Sequence, residues 1–590
     1  MNRNATIGAV VVALVSIVQI ARTWGGWTDP LIDFGRELYV AWQVSEGAAL
    51  YRDVAYFNGP FSPHLNALVF RVASPGIATL AIVNIAVYFG IALLSYDLLR
   101  RAGDAFSAAA AGVTLATLFG FIQLVGVGNY NYATPYAHEM THGLLLSLAA
   151  IWCLSRLATT GRRRFAVCCG AAGGMVFLTK PEMFLACAPA IAAGIPALRA
   201  DRPRNALVIA ASGVVVVAAA AGFLWLRTDL ATASRGVLGG WVYVLDAEVR
   251  ALPFYRAIAG LDQPAEQARQ MIVMSLAWAM LLALGCGLAA LARGALRAVI
   301  VTSAALVPPA AAWMFFDDIA WQAIFYPLPA ATIVLAIVAT VTIARRGTDE
   351  SRLIRLTFCV FAAALLAKMI LRPVVSHYGF VLAMPATLAV VAAATGWIPG
   401  SLKVRLGPAP AGALRVFAVA VIATIVTAHL WAFQRLYASK PVFVGGGRDR
   451  IRAADDGRGE AVDAMVWAIE RYTPAGSTLA VIPEGAMLNS LSRRRNPTPY
   501  VTLLPPEFAM FGAGEILEAY RRRPPDFVVI APRDLTEYGS TGFDRDYGSA
   551  FGAWLHEAYE AVQTAQPAGY RLTLLARRGV PATTGPAKDP

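Results

Sequence analysis

Apolar residues fill the first 435 positions in blocks too long and too continuous for water-soluble helices. A bilayer core about 30 Å thick takes about 20 apolar residues of helix. On that measure the blocks at 6–23, 77–99, 107–127, 138–158, 165–179, 182–198, 206–226, 271–292, 297–315, 321–344, 353–371, 378–397 and 413–433 read as about thirteen transmembrane spans. Bulky Trp24 and Trp27, not a small-residue cleavage site, follow the first block, so it reads as a retained span. The compact basic clusters are Arg100-Arg101, Arg162-Arg163-Arg164, Arg199/Arg202/Arg204, Arg293/Arg297, Arg345-Arg346 and Lys403/Arg405. They fall in alternate connections, which places them and the N-terminus in the cytoplasm. The opposite face receives the long loop 24–76, residues 130–142, the Lys180-Pro181-Glu182 break, residues 227–270, Asp317-Asp318 and residues 372–377. An odd number of spans also puts the C-terminal end outside.

Past residue 435 the pattern changes. Long apolar runs stop, and 478–482, 526–531 and 570–576 alternate as short strands. Residues 461–472, 514–523 and 547–562 read as helices between them, so 436–580 is expected to be a soluble α/β domain attached to a transmembrane domain at 1–435. The Val444-Gly-Gly-Gly-Arg448 stretch reads as a linker, and 581–590 as a disordered tail. Polytopic, mostly α-helical and membrane-embedded is the fold class.

Composition narrows the functional classes. Hydrophobic residues make up 57% of the 590 and charged residues 15%, so the chain cannot cover itself with polar surface. The net charge of +13 would invite a nucleic-acid partner in a soluble protein. Here the basic residues sit between apolar blocks and serve orientation, so the partner is the bilayer and not a nucleic acid. The six cysteines all lie in or beside apolar blocks, with no CxxC among them, which argues against a disulfide framework. In a bacterium this arrangement means the inner membrane, with the C-terminal domain in the periplasm. ATP and sugar nucleotides are absent there, so a transferred group would arrive on a lipid carrier.

The first outer loop holds the densest chemistry. Residues 33–46 form an amphipathic pattern suited to a helix at the membrane surface, with Tyr39 and Trp42 as interfacial anchors. Asp33 then sits at the mouth of the helical bundle. A carboxylate there can take a proton from an attacking hydroxyl or amine, or it can simply cap the helix that follows. Asp33, the nearby Arg36 and the proline pair Pro60/Pro63 resemble the first-loop acid, arginine and Pro-x-x-Pro of the GT-C membrane glycosyltransferases, in the branch of the protein O-mannosyltransferases and aminoarabinose transferases. Residues 177–180 (FLTK) resemble that family's lysine-bearing stretch, and 372–385 its late Arg…Tyr…Pro segment. One departure stands out: Phe34 occupies the place of the usual second acid.

The resemblance implies sugar transfer from a polyprenyl-phosphate donor to a glycan, lipid or protein acceptor, with inversion and Asp33 as base. The leaving group is a lipid phosphate, so cations should stabilise it. Lys180 and Arg372 are the candidates, with Arg36, His377 and Tyr378 as further binding groups. Lys180 and Glu182 interrupt an apolar stretch, which is costly for groups without a task.

A competing motif is His138-Glu139-Met-Thr-His142. On a helix its histidines fall at i and i+4 on one face, which suits zinc with Glu139 activating water, the arrangement of a membrane zinc protease. In the transferase reading the same three residues line the cavity and admit a divalent metal ion. No third ligand is marked by a motif. Asp317-Asp318 reads as a solvated turn, and the basic run Ser492–Arg495 as a solvated or lipid-facing loop. A transporter would need polar residues in mid-span on several helices, and the spans lack them.

Overall fold

The computed structural model describes residues 3–582 apart from 128–129, 199–200 and 292–293. Arg199, Arg293 and residues 583–590 of the expected tail lie outside the described residues. Helix dominates residues 3–438, and a helix occupies each predicted block. Among the described residues eight helical stretches are long and apolar enough to cross a membrane: Arg3–Thr23, Ile77–Ala102, His138–Thr160, Arg202–Arg227, Pro253–Leu288, Trp321–Arg346, Phe380–Leu406 and Pro408–Ala438. Ala105–Gly120, Arg164–Phe177 and Pro181–Ala197 are apolar but shorter. Local sequence explains one of these ends: the Arg164–Phe177 helix stops before Thr179-Lys180, and Pro181 opens the next helix at a position where its missing N–H costs nothing. The same helix packs closely on Arg202–Arg227. A Cβ on Gly170 would meet the Ile209 carbonyl oxygen at 2.0 Å, so small residues set this contact.

Two short helices of the first loop, Phe34–Ser45 and Phe61–Val72, connect the Arg3–Thr23 and Ile77–Ala102 helices. The Phe34–Ser45 helix turns its expected interfacial anchors into protein and not toward lipid. Tyr39 and Trp42 are buried, as are Phe34 and Leu38. All four share one apolar core with Val444, Met465, Val481, Met487 and Val529 of the C-terminal part. The amphipathic face that the sequence offered to lipid is taken by protein.

The C-terminal part carries a hairpin of β1 (Val442–Val444) and β2 (Ile451–Ala453) and a four-stranded sheet of β3 (Leu479–Ile482), β4 (Phe527–Ile530), β5 (Tyr559–Ala565) and β6 (Leu572–Arg577). The sheet order is β3-β4-β6-β5, with β3 and β4 parallel and the other pairs antiparallel. The hairpin replaces the expected linker. The helix expected over 547–562 is Ser549–Ala558, and the chain then turns into β5, where Tyr559 donates to the Pro525 carbonyl at 2.7 Å.

Polar ties lock this part onto the first loop. Gly35 has no room for a Cβ, which would stand 2.2 Å from the Met487 backbone nitrogen. The Asn496 N–H donates to the Tyr39 hydroxyl at 2.8 Å, and Asp449 Oδ1 accepts the Ile77 N–H at 2.8 Å. Buried Lys440 donates to the Gly26 carbonyl at 2.7 Å and to Gln123. The Ser492–Arg495 run is part of this seam and not a free loop: Arg493 pairs with Asp449 at 2.6 Å and Arg495 with Glu46 at 3.1 Å. Asp317 and Asp318 are exposed, as a solvated turn requires.

Candidate functional site

Asp29 turns the chain into the site. Its Oδ1 accepts the N–H groups of Leu31 and Ile32, each at 2.9 Å, and Arg458 holds it at 2.8 Å. The Phe34 N–H then reaches back to the Ile32 carbonyl at 2.8 Å, which closes a three-residue γ-turn centred on Asp33. Asp33 has φ 64° and ψ −74°, the strained hand of that turn. Such a conformation costs about 1–3 kcal/mol and persists where the surroundings impose it. Asp33 occupies the N-cap position of the Phe34–Ser45 helix, yet its side chain makes no capping hydrogen bond. The capping role is therefore set aside.

The surroundings of this half-buried carboxylate come from both parts of the chain. Glu484, just after β3, accepts the Asp33 backbone N–H at 3.2 Å and the Arg533 Nε–H at 3.1 Å. Burial first, and then the Glu484 charge, push the Asp33 carboxyl up to about 7, against the pull of Arg36 and Arg533. Glu507, buried on the Pro505–Phe511 helix, is also raised to about 7 by burial, with Arg36 opposing. Arg36 donates to the Tyr136 carbonyl at 3.3 Å, approaches Glu37 at 3.5 Å and lies over the Phe57 ring at 5.0 Å. Among the described residues, three buried polar atoms of this neighbourhood have no hydrogen-bond partner: Arg36 Nε, Tyr136 Oη and Glu507 Oε2. Buried polar groups are otherwise satisfied in folded proteins, so a cluster of this kind marks groups meant for a ligand.

The His-Glu-x-x-His residues lie behind Asp33, and their bonds are structural. His138 donates from Nδ1 to Glu37 at 2.9 Å, and its Nε2 accepts from Asn84 at 2.9 Å. Both ring nitrogens are thereby engaged. Glu139 accepts the Tyr56 hydroxyl at 2.5 Å and lies 3.5 Å from Asn58 Nδ2, while His142 Nδ1 lies 2.9 Å from Ser62 Oγ. Among the described residues no group of three or more His, Cys, Asp or Glu side chains is placed to hold a metal ion. The donor set does not fit a metal here, and no step below uses one.

The cations form a second group. Lys180 and Lys368 converge on Glu182, at 3.6 Å and 2.9 Å. Lys180 also stands 5.3 Å from the Tyr136 ring and Lys368 4.8 Å from the Tyr378 ring, and those two rings are 5.1 Å apart. Two ammonium groups share one carboxylate, which leaves a net positive charge walled by tyrosines. Lys368 was missed in the sequence, although a lone lysine near the end of an apolar block is the same signal that singled out Lys180. Arg372 and His377 meet the Pro253–Ala259 helix. Arg372 donates to the Ala257 carbonyl at 3.4 Å, and His377 Nε2 donates to the Ile258 carbonyl at 3.0 Å. The second His377 nitrogen accepts the Gly379 N–H at 2.8 Å, and burial with nearby Lys368 pushes its pKa down to about 3. Both residues pin the Pro253–Ala259 helix. Glu484, Glu507 and Arg533 carried no sequence signal that tied them to Asp33, since only the fold brings them there.

A solved structure of similar architecture is the Archaeoglobus fulgidus oligosaccharyltransferase tethered with an acceptor peptide. It is 12% identical, with 96% of this chain and 74% of that chain covered and a TM-score of 0.51. The chain shares the fold of that oligosaccharyltransferase. ArnT from Cupriavidus metallidurans bound to undecaprenyl phosphate is also similar, at 13% identity over 99% of both chains with a TM-score of 0.44. No protein-family model and no curated protein sequence matches the chain. Within this fold, the arrangement offers a strained acid that can accept a proton and, near it, a cationic tyrosine-walled patch that can hold a phosphate.

Proposed function

We propose that the protein transfers a sugar from a polyprenyl-phosphate donor to an envelope glycan, lipid or protein acceptor at the periplasmic face, with inversion. The carrying observation is Asp33: a strained γ-turn holds its carboxylate out of the capping role and beside buried polar atoms that lack partners among the described residues. A base works best when its pKa lies near the operating pH, and Asp33 stands at about 7.

In this reading Asp33 takes the proton of the acceptor hydroxyl or amine as that atom attacks the anomeric carbon. The bond from that carbon to the phosphate oxygen breaks, and its electrons leave on the lipid phosphate. Lys180 and Lys368 meet the developing charge as positioned ammonium groups. Arg36, fixed by the Tyr136 carbonyl and the Phe57 ring, orients donor or acceptor oxygens. Tyr136 and Tyr378 wall the patch.

The matching topology is thirteen crossings, with the N-terminus in the cytoplasm and two parts at 1–435 and 436–580. This reading draws on the alternating basic clusters and on a helix in every predicted block. The test is transfer of radiolabelled sugar from a polyprenyl-phosphate sugar into membranes that hold the protein. Full transfer by Asp33→Asn would remove Asp33 as the base.

A further inference from the structure

A groove of about 430 Å³ runs between the Phe61–Val72 helix and the last two turns of the Arg202–Arg227 helix. Its walls are apolar, formed by Phe61, Leu68, Leu178, Ala220 and Phe223, and no Asp or Glu lines it. Leu68 and Phe223 are exposed there. Arg71 and Arg227 line it beside the Ser45–Gly47 turn, and His64 lines it against Phe223.

The polarity of this groove has a direction. Arg227 ends a helix long and apolar enough to span the membrane, so its guanidinium stands where head groups lie. Ala220 is seven residues earlier, about 10 Å deeper at 1.5 Å per residue. Both arginines are already oriented. Arg71 donates to the Ser45 carbonyl at 3.3 Å and Arg227 to the Gly47 carbonyl at 3.0 Å, at the end of the Phe34–Ser45 helix. A guanidinium has five N–H groups in a fixed fork that matches phosphate oxygens, so each keeps donors for a ligand.

The groove is separate from the Asp33 site. The Gly59 N–H donates to the Thr179 carbonyl at 2.8 Å, and the Phe61 N–H donates to the Leu178 carbonyl at 3.1 Å. These bonds tie residues 59–61 to the 178–179 turn, and neither Tyr56, Glu139 nor Asp33 lines the groove. The Asp33 site also has its own cations in Lys180 and Lys368.

We propose that this groove binds an anionic phospholipid of the surrounding bilayer, its head-group phosphate on Arg71 and Arg227 and one acyl chain along Leu68, Phe223 and Ala220. The inference is independent of the reaction proposed above. The lipid would bridge the Phe61–Val72 helix, the Arg202–Arg227 helix and the carbonyl end of the Phe34–Ser45 helix, and so brace the loop that carries Asp33.

Native mass spectrometry of the intact protein in detergent tests it, with phosphatidylglycerol, phosphatidylcholine and undecaprenyl phosphate titrated separately and in competition. We expect one retained phosphatidylglycerol per chain, bound at least about tenfold more tightly than phosphatidylcholine, a gap of about 1.4 kcal/mol. The double variant Arg71→Gln/Arg227→Gln should lose that preference, and Arg71→Lys/Arg227→Lys should keep part of it. Ala220→Trp retains both charges but fills the groove, and it should lose the lipid while Arg71 and Arg227 stay in place. Equal binding of the two phospholipids, or unchanged binding in Ala220→Trp, would overturn the proposal. So would displacement of the bound phospholipid by one equivalent of undecaprenyl phosphate, which would give the groove to the polyprenyl carrier.

Discussion

Asp33 and Glu484 stand 451 positions apart, yet the Asp33 backbone N–H donates to Glu484 Oε1 at 3.2 Å. One oxygen of Glu484 thus holds the strained turn while the other holds Arg533 at 3.1 Å. The C-terminal part therefore sets both the shape and the charge around the acid of the first loop.

Asp33→Asn should remove at least about a hundredfold of transfer, the low end of what a positioned base contributes. It should also raise thermal stability at pH 8, because asparagine tolerates positive φ and carries no charge beside Glu484. The sign follows from the pKa: Asp33 is about 7 folded against 3.8 unperturbed, so its ionisation opposes folding above 7 and not below about 4. Melting curves of both proteins at pH 8 and pH 4 read this. A variant less stable at pH 8 would contradict it.

The pH profile of transfer should rise through about 7 as Asp33 loses its proton. Glu484→Gln removes a neighbouring negative charge, so the acidic limb should move to lower pH. Arg533→Gln removes a positive charge, and the limb should move to higher pH. Shifts of both variants in one direction would dissociate the limb from Asp33.

Lys180→Gln and Lys368→Gln should each weaken undecaprenyl phosphate binding by about tenfold or more, since a charge-assisted hydrogen bond contributes about 1.5–3 kcal/mol. Arg372→Gln should lower the melting temperature, because Arg372 donates to the Ala257 carbonyl. Titration of the lipid phosphate into the purified lysine variants and a melting curve of the arginine variant check these outcomes.

Zinc content tests the His-Glu-x-x-His motif directly. With both His138 nitrogens engaged by Glu37 and Asn84, wild-type protein and His142→Ala should hold equal zinc after exposure and desalting. One equivalent in the wild type that is lost in His142→Ala would restore the protease reading.

The sequence was most legible where one physical signal acts alone. Length and apolarity located the membrane helices, and period-two alternation located β3, β4 and β6 to within a residue or two. The Phe34–Ser45 helix was legible as an element and misplaced as a surface, because an amphipathic face looks alike whether lipid or protein covers it. Tyr39 and Trp42 share their core with residues 400 and more positions later. The site divides in the same way. Asp33, Arg36 and Lys180 declared themselves as polar groups at the edges of apolar runs. The partners of Arg372 and His377 are backbone carbonyls, which side-chain chemistry cannot reveal. Glu484, Glu507 and Arg533 reach Asp33 through tertiary contact, and no local pattern records that.

The shared core of the Phe34–Ser45 helix with β3 and β4 has a consequence for biosynthesis. Chains generally fold from the N-terminal end as they are made, but Phe34, Tyr39 and Trp42 have only the early members of their core, such as Phe70, Ile77 and Leu80, to pack on until residues 442–577 are translated. The first loop stays partly uncovered through the insertion of every later helix. Its covering is completed late in assembly, so a chain truncated before β3 would reach the membrane without Glu484 beside Asp33, and proteolysis at Phe34–Ser45 would report how far synthesis had gone.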